Sequence, residues 1–427
     1  MAYVLFALAG LGLVALVIGL LAVLLARPRR SRVAPPAADA VPTVEIVALG
    51  ISGSGKTVFL ASLFHELHVP LGGRPYFLGT DAEQRVTLSG VLREVSDPTL
   101  PWPPGTMVGQ TRRFTFDCLS KVDDRWRPVL RLNYLDYAGE VLEHTSEGGR
   151  QALQQLETYV KGADAVLGML DGRRIVEFMR GAAGGRTYLT AAIQPMLGIM
   201  AATHCPIYLV ITKWDIVRGF GEPENADDNT RLDRVRDALL SLPQLRGLVN
   251  MRSIVRLIPV SAVGPDFATL DATTGRIDKR ADGMLQPMNV EVPIAAVLPD
   301  LFRRVAATMD VRVSAGVDAQ VREMMRLSPL QWSSAIAHFL TRPAGAAVRA
   351  TLDIVLGRSY GSEVAGLLLD WMGRPYRRKG EQVAAFRTDA ERQLAEVSQA
   401  RIAIVEHFHK TMYVFEDRLP ASRLWTR

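Results

Sequence analysis

The stretch Gly50-Ile51-Ser52-Gly53-Ser54-Gly55-Lys56-Thr57 constrains this chain more than any other. It matches the pattern G-x-x-x-x-G-K-[ST] and stands between an apolar β-type run, Val44–Leu49, and a stretch of helical periodicity, Lys56–Leu67. The glycines permit backbone conformations that turn successive N–H groups toward one anion. A helix beginning at Lys56 adds its positive N-terminal end at the same point. From there the Lys56 ammonium reaches the β- and γ-phosphates of a nucleoside triphosphate, and the Thr57 hydroxyl is placed to ligate Mg²⁺. A strand before the loop and a helix after it make an idle Gly-rich turn the weaker reading.

Beyond this loop, short apolar β-rich runs alternate with helical stretches. The runs are Val44–Leu49, Arg113–Cys118, Val129–Leu135, Ala165–Leu170, Ile207–Ile211 and Val255–Val260. The helical stretches are Lys56–Leu67, Gln151–Lys161, Tyr188–Ala202 and Leu232–Leu242. The alternation predicts an α/β fold, a mostly parallel sheet with helices on both faces. Arg113–Cys118 and Val129–Leu135 are separated by a short polar turn and predict a hairpin, with one antiparallel edge strand.

Three further motifs follow in order. Asp136-Tyr137-Ala138-Gly139 (D-x-x-G) ends the run Val129–Leu135, and a carboxylate there faces the ligand edge of an open parallel sheet. Thr212-Lys213-Trp214-Asp215 follows Ile207–Ile211, in the place of an N-K-x-D motif. Ser261-Ala262 follows Val255–Val260.

With its motifs in this order, the chain resembles the P-loop GTPases of the translation-factor and Ras-related (TRAFAC) class. Within that class it is similar to the bacterial membrane-linked proteins called double-GTPase-like, over residues 43–310. The resemblance implies that GTP and GDP bind along Gly50, Ser52, Gly53, Ser54, Gly55, Lys56 and Thr57. It implies that Asp136 holds Mg²⁺ with Thr57 and that the Gly139 N–H contacts the γ-phosphate. The Asp215 carboxylate would accept from guanine N1–H and the 2-amino group, a pair that adenine lacks. The Lys213 stem would lie over the base, Thr212 would stand in for the usual Asn, and the backbone at Ser261-Ala262 would meet the 6-oxo group. A threonine ahead of the hairpin would complete the metal and γ-phosphate contacts. Thr106, in Trp102-Pro103-Pro104-Gly105-Thr106, is preferred over Thr111.

The resemblance also implies hydrolysis of GTP to GDP and phosphate, with Lys56, Thr106 and Glu140 as the catalytic candidates. Many relatives carry Gln where this chain has Glu140. A carboxylate accepts from water but cannot donate to the transferring phosphoryl group, and it adds negative charge beside it, so slow turnover is expected. Neither Arg112 nor Arg113 is assignable as an arginine finger. Two other readings are open: a nucleotide-dependent scaffold, and an ATPase component of a membrane secretion or transport complex, in which Asp215 would not read a base.

Ala2–Ala26 contains no charged residue, and Arg27, Arg29, Arg30 and Arg32 follow directly. As a helix this run is about 37 Å long, enough to cross a hydrocarbon core of about 30 Å. The arginines place everything after them on the cytoplasmic side. A cleaved signal peptide needs a basic start and a shorter core. The expectation is therefore a single-pass cell (inner) membrane protein with its lipid contact through residues 2–26. A Pro- and Arg-rich tether at 27–42, a GTPase domain at 43–310 and a helical C-terminal domain at 311–427 complete the expected layout.

Composition bounds the rest. Apolar residues make up 48% and charged ones 22% of 427 residues, which excludes a mostly disordered chain. Cys118 and Cys205 alone build neither a disulfide framework nor a Cys-rich zinc site. A net charge of +6 is too diffuse to argue for a nucleic-acid partner, and none is expected; an unidentified protein effector is. From Glu381 to Leu419, apolar residues recur at steps of three and four, interrupted once by Arg401, as in an amphipathic helix with a narrow seam. His407 and His409 fall on different faces of it and do not suggest a metal site. Arg374, Arg377, Arg378 and Lys379 read as a solvated basic loop. The polar stretches Gly219–Arg231 and Pro265–Gln286 read as regulatory insertions or loops beside the base pocket.

Overall fold

The computed structural model describes residues 41–104, 111–137, 147–220, 226–271, 275–308, 362–373 and 389–424, with single residues between 317 and 351. The expected membrane segment 2–26, most of the tether, and Thr106, Gly139 and Glu140 lie outside the described residues, as does the basic cluster at 374–379. Among the described residues, no helix is long and apolar enough to cross a membrane.

A seven-stranded sheet forms the centre. Its strands are β1 (Thr43–Leu49), β2 (Phe77–Gly79), β3 (Arg112–Val122), β4 (Arg125–Asp136), β5 (Ala165–Asp171), β6 (Ile207–Thr212) and β7 (Val255–Pro259). They lie in the order β2-β3-β4-β1-β5-β6-β7. The five from β4 to β7 are parallel, while β3 runs antiparallel to β4 and β2 antiparallel to β3. This α/β sheet fits a P-loop nucleotide-binding fold, as the alternation predicts. Strands β5 and β6 are buried along their whole length, as expected of parallel strands covered on both faces.

Two details differ from the sequence reading. The antiparallel strand β3 is not the edge, because the three residues of β2 pair outside it. The β3–β4 turn is also tighter than the polar stretch suggested. Only Asp123 and Asp124 connect the strands, at φ +52° and +57°, the left-handed pair of a two-residue hairpin. A register shift at Cys118/Leu119 leaves Val129 without a partner and accommodates Pro128 inside a strand.

The helices are α1 (Lys56–Leu67), α2 (Ala82–Ser96), α3 (Glu147–Lys161), α4 (Gly172–Met179), α5 (Ala183–Thr187), α6 (Gln194–Ala201), α7 (Trp214–Arg218), α8 (Asp228–Leu240), α9 (Pro243–Met251), α10 (Val292–Ala295), α11 (Val297–Thr308), α12 (Ser362–Gly373) and α13 (Asp389–Arg418). Asp81 and Asp227 cap α2 and α8 by accepting from Gln84 N–H and Thr230 N–H. The stretch Tyr188–Ala202 is not one α-helix: a π-helical turn, Tyr188–Ala192, precedes α6. Pro265–Gln286, read as an insertion or loop, contains a separate hairpin of β8 (Ala268–Leu270) and β9 (Ile277–Lys279).

Helix α13 buries Ile404, Val405, Phe408, Met412 and Phe415 in the same core as the sheet. Its polar contacts follow the same docking. Phe408 meets Tyr76 edge-on, and His407 Nε2 lies 2.8 Å from Glu291 Oε1, which also accepts from the Tyr76 hydroxyl. Arg401 Nε donates to the carbonyl of Val129, the residue unpaired by the bulge. In β7, Arg256 is fully buried and donates to both Asp300 oxygens on α11 at 2.5 Å and to Glu416 on α13.

Candidate nucleotide site

All five parallel strands end at one edge, and four sequence motifs meet there. After β1, the chain turns through Gly53 and Gly55 at φ +73° and +88°, conformations that a side-chain-bearing residue adopts only under strain. Gly55 directly precedes α1. Lys56 is buried, and its ammonium donates back to the carbonyls of Gly50 at 2.7 Å and Ile51 at 3.2 Å. The charge is thus held over the loop rather than extended into solvent. Gly50 has no room for a Cβ: one built there would lie 2.7 Å from Ser54 Oγ and 3.0 Å from Met169. Ser54 is buried beneath the loop.

At the end of β4, Asp136 is fully buried and accepts from Thr57 Oγ1 at 3.0 Å. A hydroxyl and a carboxylate at this separation, at a strand end facing the loop, are the hard oxygen donors that Mg²⁺ takes. The residues fit the ion.

At the end of β6, the buried Thr212 hydroxyl lies 2.8 Å from the Ser54 carbonyl and 3.1 Å from the Leu170 carbonyl, so it ties β6 to the loop after β1. Lys213 follows at φ +53°, an uncommon conformation for a residue with a side chain. Its ammonium pairs with Asp171 Oδ2 at 2.7 Å and donates to Gly53 O at 3.1 Å. Asp215 accepts from Ser261 Oγ at 2.5 Å, and Ser261 Oγ accepts in turn from the Gly264 N–H at 2.8 Å. Burial pushes the Asp215 carboxyl above its ordinary value, against the Ser261 hydrogen bond and the Lys213 charge. Ala262 is fixed from below, its carbonyl accepting from Ser62 Oγ of α1 at 2.7 Å.

Ser52, Gly53, Gly55, Lys56, Thr57, Thr212, Lys213, Asp215 and Ala262 all line one cavity of about 580 Å³. That volume lies within the range of small-molecule sites. Its other wall comes from Pro98–Pro104 and from β8–β9.

Four residues of the cavity wall and its support escaped the sequence reading. Asp171 receives Lys213, and the Asp171 N–H donates to the buried Tyr188 hydroxyl at 2.8 Å. An acidic residue at the carboxyl end of a parallel strand was the available signal. Arg173, Ile277 and Lys279 line the cavity from positions that no motif marks. Arg113 is engaged away from the cavity, 3.8 Å from Glu45 and over the Tyr159 ring at 5.7 Å.

No protein-family model matches the chain, and no curated protein matches it. Several solved structures are similar to it. Sup35 complexed with GDP aligns at 18% identity and a TM-score of 0.25, over 52% of this chain and 38% of that one. The G domain of the T. maritima FeoB iron transporter aligns at 14% and 0.23, over 52% and 88%. Translation elongation factor SelB from Methanococcus maripaludis, in complex with the GTP analogue GppNHp, aligns at 15% and 0.23, over 52% and 30%. The chain therefore spans well under half of sup35 and of SelB. Likeness at this level assigns no activity.

Proposed function

We propose that this protein is a membrane-anchored GTP-binding protein that hydrolyses GTP to GDP and phosphate and acts as a switch for a protein effector. One observation carries the base assignment: Asp215, held by Ser261 Oγ, lines the same cavity as the Lys56 loop. Guanine presents two adjacent donors, N1–H and the 2-amino group, which an ionised carboxylate accepts together. Adenine presents an acceptor at N1 and no 2-amino group.

Thr57 and Asp136 are the residues that would hold Mg²⁺, which supplies charge neutralisation at the phosphates when bound. The Lys56 ammonium, folded over the loop onto the Gly50 and Ile51 carbonyls, is placed to meet the β- and γ-phosphate oxygens. The loop N–H groups orient the phosphate chain. Glu140 in the place of a Gln makes slow intrinsic turnover the expected outcome. The uncharged run Ala2–Ala26 and the arginines after it support a single-pass anchor with the nucleotide site on the cytoplasmic side.

The test is a comparison of GTP and ATP on the full-length chain in detergent with Mg²⁺, by binding and by phosphate release. GTP should bind far more tightly than ATP, and phosphate should appear slowly. Equal affinities would refute the base reading, and rapid turnover without a partner would refute the role given to Glu140.

A further inference from the structure

The cavity has a roof made of two segments far apart in sequence. One is the strap Pro98–Pro104 after α2, and the other is the hairpin β8–β9 after Ser261-Ala262. They are joined to each other over the site. Trp102 Nε1 donates to the Ile277 carbonyl at 2.8 Å, across 175 residues of sequence. The Lys279 ammonium, 5.1 Å from the Trp102 ring centroid, gathers the carbonyls where α2 ends. It donates to Glu94 O, to Asp97 O and Leu100 O at 2.9 Å, and reaches Pro101 O at 3.4 Å. An apolar cluster backs this joint: Trp102 packs edge-on against the buried Phe267, beside Val95 and Val263. The hairpin's turn end is fastened on the opposite side, where Arg173 Nη1 donates to Gly275 O at 2.6 Å. The hairpin therefore bridges the cavity from the start of α4 to the end of α2.

Trp102, Ile277 and Lys279 line the same cavity as Lys56, Thr57 and Asp215, and the joint ties together the two segments of that outer wall. A nucleotide crossing this wall has to part the joint. We infer that the β8–β9 hairpin and the 98–104 strap form a latch over the nucleotide cavity, held shut by the positioning residues Trp102 and Lys279, and that its opening limits exchange of guanine nucleotide. This inference rests on the guanine-nucleotide reading above.

The experiment uses the full-length chain in detergent and N-methylanthraniloyl-GDP, with association and displacement by excess GDP followed in a stopped-flow instrument. Lys279→Met removes the ammonium and keeps the stem. Trp102→Phe keeps the ring packing and removes the N–H. Each loses hydrogen bonds of the joint alone, so both rates should rise by about tenfold while their ratio stays near the wild-type value. Lys279→Arg, which retains the charge and several donors, should lie closer to wild type. Wild-type release rates in both variants would overturn the latch. Faster release with unchanged association would also overturn it, because that pattern marks a direct contact to the nucleotide. If Lys279→Met shows no cooperative melt, Trp102→Phe decides by the same two rates. A wild type that binds none of the probe would refute the guanine reading itself and the latch with it, a result distinct from either failure of the variants.

Discussion

Replacing Asp215 by Asn should change which base the site accepts. The substitution keeps the side chain's size and its ability to accept from Ser261 Oγ. It removes the charge and turns one oxygen acceptor into an amide donor. On the proposed reading, guanine's N1–H and 2-amino group would both donate to an ionised carboxylate, worth about 1.5–3 kcal/mol each. Together that is about 3–6 kcal/mol, a preference of roughly 10²–10⁴-fold. The amide loses one of the two bonds and sets its N–H₂ against the 2-amino group. Xanthine carries a 2-oxo group there, which accepts from the amide. The variant should therefore bind GDP more weakly by at least the value of the lost bond, roughly 10–10²-fold, and prefer xanthosine diphosphate. Titration calorimetry with the two diphosphates measures both numbers. A GDP affinity within about threefold of wild type would refute the assignment of Asp215 to the base.

The same substitution has a second readout that needs no ligand. Burial holds the Asp215 carboxyl above its ordinary 3.8, so ionising it costs stability in the folded chain. The folded state keeps its proton to higher pH than the unfolded one. Stability is therefore lost as pH rises from the unfolded value through the folded one, and the loss persists above it. Asn carries no such cost. The nucleotide-free variant should melt higher than wild type at about pH 7, and the gap should close at acid pH, where both side chains are neutral. A gap of the same size at both pH values would refute the electrostatic origin of the effect.

Thr212→Val is nearly isosteric and removes the hydroxyl that ties β6 to the Ser54 carbonyl. It should lower stability by about 1–3 kcal/mol in denaturant titration, while Thr212→Asn should recover most of that loss. Arg256→Met leaves Asp300 and Glu416 buried without their guanidinium and should cost about 3–5 kcal/mol in the same titration. Burial alone would raise the Glu416 carboxyl, but Arg256 and Arg423 hold it below its ordinary 4.5. Its contribution is present above that value and is lost as pH falls through the folded one, so Glu416→Gln should flatten the acid limb of the stability–pH curve.

The parts of the fold legible in the sequence were those written in local pattern. The loop at Gly50–Thr57 has a fixed spacing, and the five parallel strands are apolar runs long enough to show. Strands β2, β8 and β9 have three residues each, too few to carry a period of two. The site divides in the same way. Lys56, Thr57, Asp136 and Asp215 belong to motifs, whereas Lys279 and Trp102 acquire their roles only because α2 ends beside the β8–β9 hairpin. Arg401 shows the limit most clearly. In sequence it is a break in an apolar stripe; in the fold it donates to the carbonyl of Val129 at the bulge, and although Pro128 hints at a bulge locally, nothing in the sequence pairs it with a residue 272 positions away.

The apolar stripe of α13 also bears on why a charge as costly as Arg256 sits inside β7. A stripe recurring at three and four residues packs nearly as well after sliding one helical turn, about 5.4 Å, along its groove. Apolar contacts alone therefore fix the face of the helix better than its position. Arg256 removes that freedom. Only in the observed register does Glu416 complete the pair begun by Asp300, with Arg423 closing on Glu416 from the following turn. In a slid register the guanidinium would keep one carboxylate, and Glu416 would be buried unpaired or pulled out of the helix seam. An unmatched buried charge costs about 3–5 kcal/mol, which weights the observed register over a slid one. The cluster thus acts as a register pin. It sits on the strand that ends just before Ser261, so the position of the last helix and the placement of the group that holds Asp215 are set by one element.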